Sequence, residues 1–238
     1  ENTPTIEQLV FTATNSNPGT SSSKIRFRKE GNNWYGIQVT DQKRLLVFNF
    51  GNSLANNNIT ATCHINPLGL FASPRDIVIA EQNDSVFALV MNYSPDNISV
   101  LRFGTSIANN PISGYNETII EDNSLLNNSS CFALAKYCGD WLIFAASSAT
   151  DNIARINFGA HFNGAATGAV LFSSATAENP QQIELTSENG RWYGFYKSSS
   201  GGGLTKLDFG TDLMSTPSST TYSNFGGLTS GAQALSVD

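Results

Sequence analysis

Side chains able to do chemistry are sparse in this 238-residue chain and scattered along it. The two histidines, His64 and His161, have no acidic or cysteine neighbours at metal-ligand spacing, so no local metal motif is present. There is no GxSxG elbow, no glycine-rich phosphate loop opening a helix, and no DxDxDG calcium loop. Gly201-Gly202-Gly203 reads as a hairpin tip. The 19 Asp and Glu residues are the remaining reservoir of acid–base chemistry, because paired carboxylates for glycosidic cleavage can meet across a ring from distant parts of a chain. Glu121-Asp122 and Asp41 fall in loops without a recurring partner. From the residues alone, the expectation is a protein with no catalytic, cofactor-binding or metal-binding residue, and not an enzyme.

Binding chemistry has a better foothold. The stretches Ala55–Asn58, Ala108–Asn110 and Asn127-Asn128 could present amides to sugar hydroxyls, with an aromatic ring nearby for stacking. The candidate ligand contacts are Asn56, Asn109, Tyr35 and Tyr193. The competing reading is that Asn here satisfies turn geometry. Asn58-Ile59-Thr60, Asn92-Tyr93-Ser94, Asn97-Ile98-Ser99 and Asn116-Glu117-Thr118 fit the N-glycosylation sequon, which arises by chance in an Asn-rich chain.

The net charge of −6 argues against a nucleic-acid face, which needs clustered Lys and Arg. The single basic cluster, Lys24, Arg26, Arg28 and Lys29, alternates with Ile25 and Phe27 and reads as the solvated side of one strand. Charged residues make up only 13% of the chain, so Asn, Ser and Thr must build most of its polar surface. That bias is common among secreted and cell-surface β proteins. No run of about 18 apolar residues exists, which speaks against membrane insertion by a helix. Residues ENTPTIEQ lack the features of a signal peptide. Cys63, Cys131 and Cys138 form no disulfide framework. One is necessarily left over, and Cys131 and Cys138 are expected to flank one strand, which extended spans roughly 23 Å.

The elements that must position these residues announce themselves through a repeat. Phe50-Gly51, Phe103-Gly104, Phe158-Gly159 and Phe209-Gly210 each close a β-rich run, at glycine intervals of 53, 55 and 51 residues. A period near fifty in an all-β chain predicts a β-propeller. Each copy contains four short strands, A to D, separated by turn residues. Strand B opens with Trp34, Trp141 and Trp192 in three copies, and with Val86 in the second. In that second copy, strand D is expected near Glu117 to Ile120. The A–B turns are predicted at Gly31-Asn32-Asn33, Asn83-Asp84-Ser85, Gly139-Asp140 and Asn189-Gly190-Arg191, where Asn and Gly tolerate positive φ.

The predicted blades are about 21–70, 71–128, 129–179 and 180–226 within one domain, 1–238. Lone strands at 5–14 and 232–237 form a partial blade. With strands B and C of one blade unsupplied, the chain is expected not to close a ring by itself and to contact further polypeptide along its exposed edge; a closed five-bladed ring with one thin, two-stranded blade is the competing reading. The repeated Trp and Phe could form a ligand-stacking row, but large aromatics at equivalent blade positions fill the space between sheets, which is the favoured reading. The neighbouring glycine is expected to let the chain leave strand C without a Cβ clash.

The motifs Trp192–Phe195 with Leu204–Pro217, GNNWYGI with VFNFGNSLANN, VLRFGTSIANNP and RINFGAHFNG together resemble the tandem repeats of large secreted proteins of surface-gliding bacteria. The resemblance covers about 200 residues; the second copy, without Trp, and the third, with Ala160-His161-Phe162, depart from it. It implies a non-catalytic, extracellular or cell-surface module serving adhesion or assembly, of gliding-motility or adhesin type, with no catalytic residue and no cofactor. Its expected partners are other segments of the same large protein, cell-surface proteins and glycans. A carbohydrate-binding propeller lectin is the alternative. Asp84-Ser85-Val86 resembles the O-glycosylation triplet of the same bacterial group.

Overall fold

The computed structural model describes residues 25–117, 125–162, 166–173, 180–198 and 203–222. The expected lone strands at 5–14 and 232–237, and Glu121-Asp122, lie outside them. Four antiparallel four-stranded sheets follow one another along the chain, each with its strands in sequence order. The first holds β1 (Arg26–Glu30), β2 (Asn33–Thr40), β3 (Arg44–Gly51) and β4 (Thr60–Ile65). The second holds β5 (Pro74–Gln82), β6 (Ser85–Tyr93), β7 (Asp96–Gly104) and β8 (Ser113–Glu117). The third is β9 (Ser129–Tyr137), β10 (Asp140–Ser147), β11 (Asn152–Asn157) and β12 (Thr167–Ser173). The fourth is β13 (Pro180–Glu188), β14 (Arg191–Ser198), β15 (Leu204–Gly210) and β16 (Ser218–Tyr222). These sheets are the blades of a β-propeller. No helix among the described residues is long and apolar enough to cross a membrane.

Consecutive blades share their cores, as a sheet with two apolar faces must. Ile37, Val39 and Leu45 of blade 1 pack on Ile77, Ala88 and Phe103 of blade 2. Leu89 and Val100, on the other side of blade 2, meet Phe132 and Ile143 of blade 3. Phe144 of blade 3 then meets Ile183, Tyr196 and Phe209 of blade 4, its ring 5.3 Å from that of Phe209. One residue beyond strand C inserts between blades in the same way each time. Ile107, Phe162 and Leu213 are 0%, 8% and 0% exposed, whereas their counterpart in blade 1, Leu54, is 47% exposed.

The marker glycines have a specific job. Gly51, Gly104, Gly159 and Gly210 all adopt φ between 65° and 70°. A Cβ would meet nothing within 4 Å at Gly159 and Gly210, so the backbone conformation requires glycine and the expected steric clash does not. The ladder skips one residue here: Trp34 faces Gly51 while Tyr35 faces Asn49, and blades 2 and 4 do the same. This is a glycine β-bulge. In three blades the residue two before the glycine accepts its N–H through a side-chain oxygen: Asn49 at 2.8 Å, Asn157 at 2.6 Å and Asp208 at 2.9 Å.

Two boundaries differ from expectation. Strand D of blade 2 starts at Ser113, before the expected Glu117, because Ile112 donates to Arg102 O at 2.8 Å and pairing with β7 begins at once; the rest of the expected stretch, 118–120, lies outside the described residues. The A–B turns are two-residue loops, and in blade 3 the turn is Cys138-Gly139, with φ of 50° and 94°. Cys131 lies within β9 and Cys138 just beyond it, and none of Cys63, Cys131 and Cys138 forms a disulfide.

Candidate functional site at the propeller axis

The A strands β1, β5, β9 and β13 line the axis, and their register brings equivalent residues together. Arg26, Val78, Ala133 and Glu184 face Ile37, Leu89, Phe144 and Phe195, which occupy the same place in each strand B. The four pairs Arg26-Phe27, Val78-Ile79, Ala133-Leu134 and Glu184-Leu185 enclose one cavity of about 260 Å3. Two residues earlier on each strand, toward the face carrying the D–A connections and B–C turns, stand Asp76, Cys131 and Gln182. Each of these follows a register irregularity at the strand start, which aims the next side chain independently of the ladder.

The charged groups converge on one guanidinium. Arg26 Nη2 lies 3.6 Å from Asp76 Oδ2 and Nη1 lies 3.8 Å from Glu184 Oε1, while Nε donates to Ile77 O at 3.1 Å. Asp76, whose side chain is 4% exposed, also accepts the N–H of Ile77 at 2.9 Å and that of Phe132, in blade 3, at 3.3 Å. It is thus a fixed acceptor. Glu184 has 17% of its side chain exposed and is the more accessible of the two. Because both acids touch the same planar fork, their oxygens are at most about 10 Å apart. Gln182 is 2% exposed and its Oε1 has no hydrogen-bond partner, an acceptor facing a cost unless a donor arrives. Phe27, 52% exposed, contributes an aromatic ring to the cavity wall. A carboxylate, a cation and an exposed ring on the cavity wall, backed by the buried Asp76 carboxylate, suit a polyhydroxylated ligand.

The residues singled out from the sequence sit elsewhere. Tyr35 is 6% exposed within the core between blades 1 and 2. The Tyr193 ring lies under the Lys206 ammonium at 5.6 Å, and its hydroxyl accepts from Arg191 Nε at 3.2 Å. Asn56 and Asn109 spend their amides on the carbonyls of Phe50 and Phe103, at 3.0 and 3.1 Å, bracing the loop after each marker. Phe103, Phe158 and Phe209 are buried between blades, and Phe50 packs on Phe27 at 5.7 Å. Trp34 and Trp141 lie under the ammonium groups of Lys29 and Lys136, and Trp192 meets Tyr137 edge-on at 6.3 Å. Asn92, fully buried and bonded to Asn97, Ser99 and Ala72, offers no acceptor for a glycan, and Ser85 is 5% exposed. Among the described residues no cluster of three His, Cys, Asp or Glu could hold a metal ion.

No family model and no curated protein matches the chain. Solved structures do. A thermostable family-43 glycoside hydrolase aligns with a TM-score of 0.62 at 6% identity, covering 85% of this chain and 73% of its own. The catalytic domain of the GH62 α-L-arabinofuranosidase of Coprinopsis cinerea gives 0.62 at 10%, covering 88% and 71%. A bifunctional GH43-CE protein of Bacteroides eggerthii gives 0.55 at 12%, covering 79% of this chain, which spans only 24% of that protein. At such identities the likeness establishes the propeller fold.

These neighbours correct the expectation of a non-catalytic module that is not an enzyme, because the proteins sharing this architecture across most of the chain are glycoside hydrolases. The expectation relied on the absence of a local motif. A propeller assembles its axial site from A strands of different blades, so the acids it brings together, Asp76 and Glu184, lie more than a hundred residues apart in sequence.

Proposed function

We propose that this propeller is a glycoside hydrolase whose axial cavity cleaves a terminal sugar from a glycan, with Asp76 and Glu184 as its carboxyl pair. The observation that carries this reading is the approach of both acids to Arg26, at 3.6 and 3.8 Å, with Arg26 and Glu184 lining the axial cavity and Asp76 buried beside it. Their spacing is compatible with the separations glycosidases use, about 5–5.5 Å for retention and about 6.5–9.5 Å for inversion. In this assignment Glu184, the more exposed, donates the proton that lets the glycosidic oxygen leave. Asp76, fixed by two backbone N–H groups, stabilises the positive charge growing at the anomeric carbon or takes the proton of the incoming water. Phe27, on the cavity wall, supports the sugar ring. A cavity of about 260 Å3 lies below the usual small-ligand range of about 300–1,000 Å3, which favours one sugar unit over an extended chain. The low charge and the Asn-, Ser- and Thr-rich composition support an extracellular setting.

The test is release of monosaccharide from a panel of aryl pentosides, aryl hexosides and short oligosaccharides. Glu184→Gln should lower kcat by about 10²–10⁴ while leaving the circular dichroism spectrum unchanged. Absence of turnover across the panel, or turnover that survives both Glu184→Gln and Asp76→Asn, overturns the assignment.

A further inference from the structure

Blade 2 breaks the repeat at one place that the axial site does not use. Where the other blades carry Asn49, Asn157 and Asp208, each turned onto its own glycine N–H, blade 2 carries Arg102. The Arg102 guanidinium is exposed and donates from Nε and Nη2 to one acceptor, Ser85 Oγ, at 3.2 and 3.0 Å. No carboxylate among the described residues pairs with it, so a guanidinium with five N–H donors has several unspent. It projects into a cleft of about 410 Å3 between blades 2 and 3. Phe87 and Phe162, ring centroids 5.2 Å apart, form the apolar wall; Gln82 and Ser113 supply polar groups. Gln82 is itself anchored, donating to Ala160 O and accepting the N–H of Phe162, so the wall is built before any ligand arrives. Among the described residues no acidic side chain lines the cleft. It is framed by the A–B turn, the end of strand C and the start of strand D, and therefore opens on the face opposite the strand starts that carry Asp76.

We propose that this cleft is a second carbohydrate site that takes a carboxylated sugar, a uronic acid residue within a glycan. Arg102 holds the carboxylate through its unspent N–H groups, Ser113 meets ring hydroxyls, and the sugar's C–H face rests against Phe87. Ser85 keeps the guanidinium in place. The site is independent of turnover at the axis, since it shares no residue with the axial cavity.

The experiment is equilibrium titration of the full chain, by calorimetry, with galacturonic and glucuronic acid trisaccharides, the neutral galactose trisaccharide, and inorganic sulfate. Saturable uronide binding is expected, at least tenfold tighter than the neutral sugar or sulfate. It should weaken at least tenfold in Arg102→Gln and remain unchanged in Glu184→Gln. Arg102 is exposed and its replacement leaves the core intact; Ser85→Ala provides a second variant, expected to weaken binding less. Failure of the uronides to bind, equal binding by Arg102→Gln, or equal binding of the neutral sugar overturns the proposal. Sulfate binding as tight as the uronides overturns its sugar component.

Discussion

Arg26 of the first blade and Glu184 of the fourth stand 3.8 Å apart across the propeller axis, at the same register position of their A strands. A fold built from near-identical sheets has thus placed opposite charges at one repeated position and apolar Val78 and Ala133 at the other two. Arg26→Ala removes the cation beside Asp76, a carboxylate 4% exposed. Asp76 keeps its two N–H bonds, so the loss should stop at about 1–3 kcal/mol, and Arg26→Lys should recover part of it. Urea denaturation at neutral pH measures both.

The inter-blade wedge gives an internal comparison. Leu213→Ala, at a position 0% exposed between blades 3 and 4, should cost about 2–5 kcal/mol. Leu54→Ala, the same repeat position at 47% exposure, should cost less than about 1 kcal/mol. Equal losses in the two variants, measured by denaturant midpoint, would contradict the assigned packing.

Gly210 has φ 65° and open space where a Cβ would lie. Gly210→Ala should therefore destabilise by about 1–2 kcal/mol from backbone strain alone. Gly210→Asn should lose less, because Asn tolerates the left-handed region. If alanine proves the better tolerated of the two, the bulge is not the reason for glycine.

His64 lies half-buried on β4, its Nε2 without a partner and its ring 6.3 Å from that of Phe103. Burial lowers its proton affinity below the ordinary histidine value. The unfolded chain then binds more protons than the folded one just below pH of about 6.5. Stability from this source is complete above that value and falls as the pH drops through it toward the lower folded-state range. Thermal melts between pH 7.5 and 5 should show the decline, and His64→Gln should flatten it.

Much of the fold could be read from the sequence because it is written four times. The Phe-Gly spacing, the B strands and the turns each recur, so a weak local signal is reinforced by its copies. The start of strand D in blade 2 lies earlier than its residue types suggest, because it depends on where β7 offers pairing partners. The axial site was illegible for the opposite reason. Arg26, Asp76 and Glu184 occur once each, on different blades, and become neighbours only through closure of the A strands around an axis. Arg26 was read as one charge of a solvated strand face. The Asn-rich loops drew attention instead, although Asn56 and Asn109 serve their own backbone. What distinguished Arg102 was visible as a departure from the repeat, a single basic residue where the other copies carry Asn or Asp.

The axial contacts also answer a problem of sheet edges. Each A strand pairs with its blade on one side only, so its other edge presents backbone groups to the axis, a template for unwanted strand pairing. Three of those groups, on β5 and β9, are taken by the same charged residues: Arg26 occupies Ile77 O, and Asp76 occupies the N–H groups of Ile77 and Phe132. The ionic set at the axis therefore acts as a seal on open strand edges. Replacing Arg26 or Asp76 would therefore expose strand-edge groups as well as alter the axial charge.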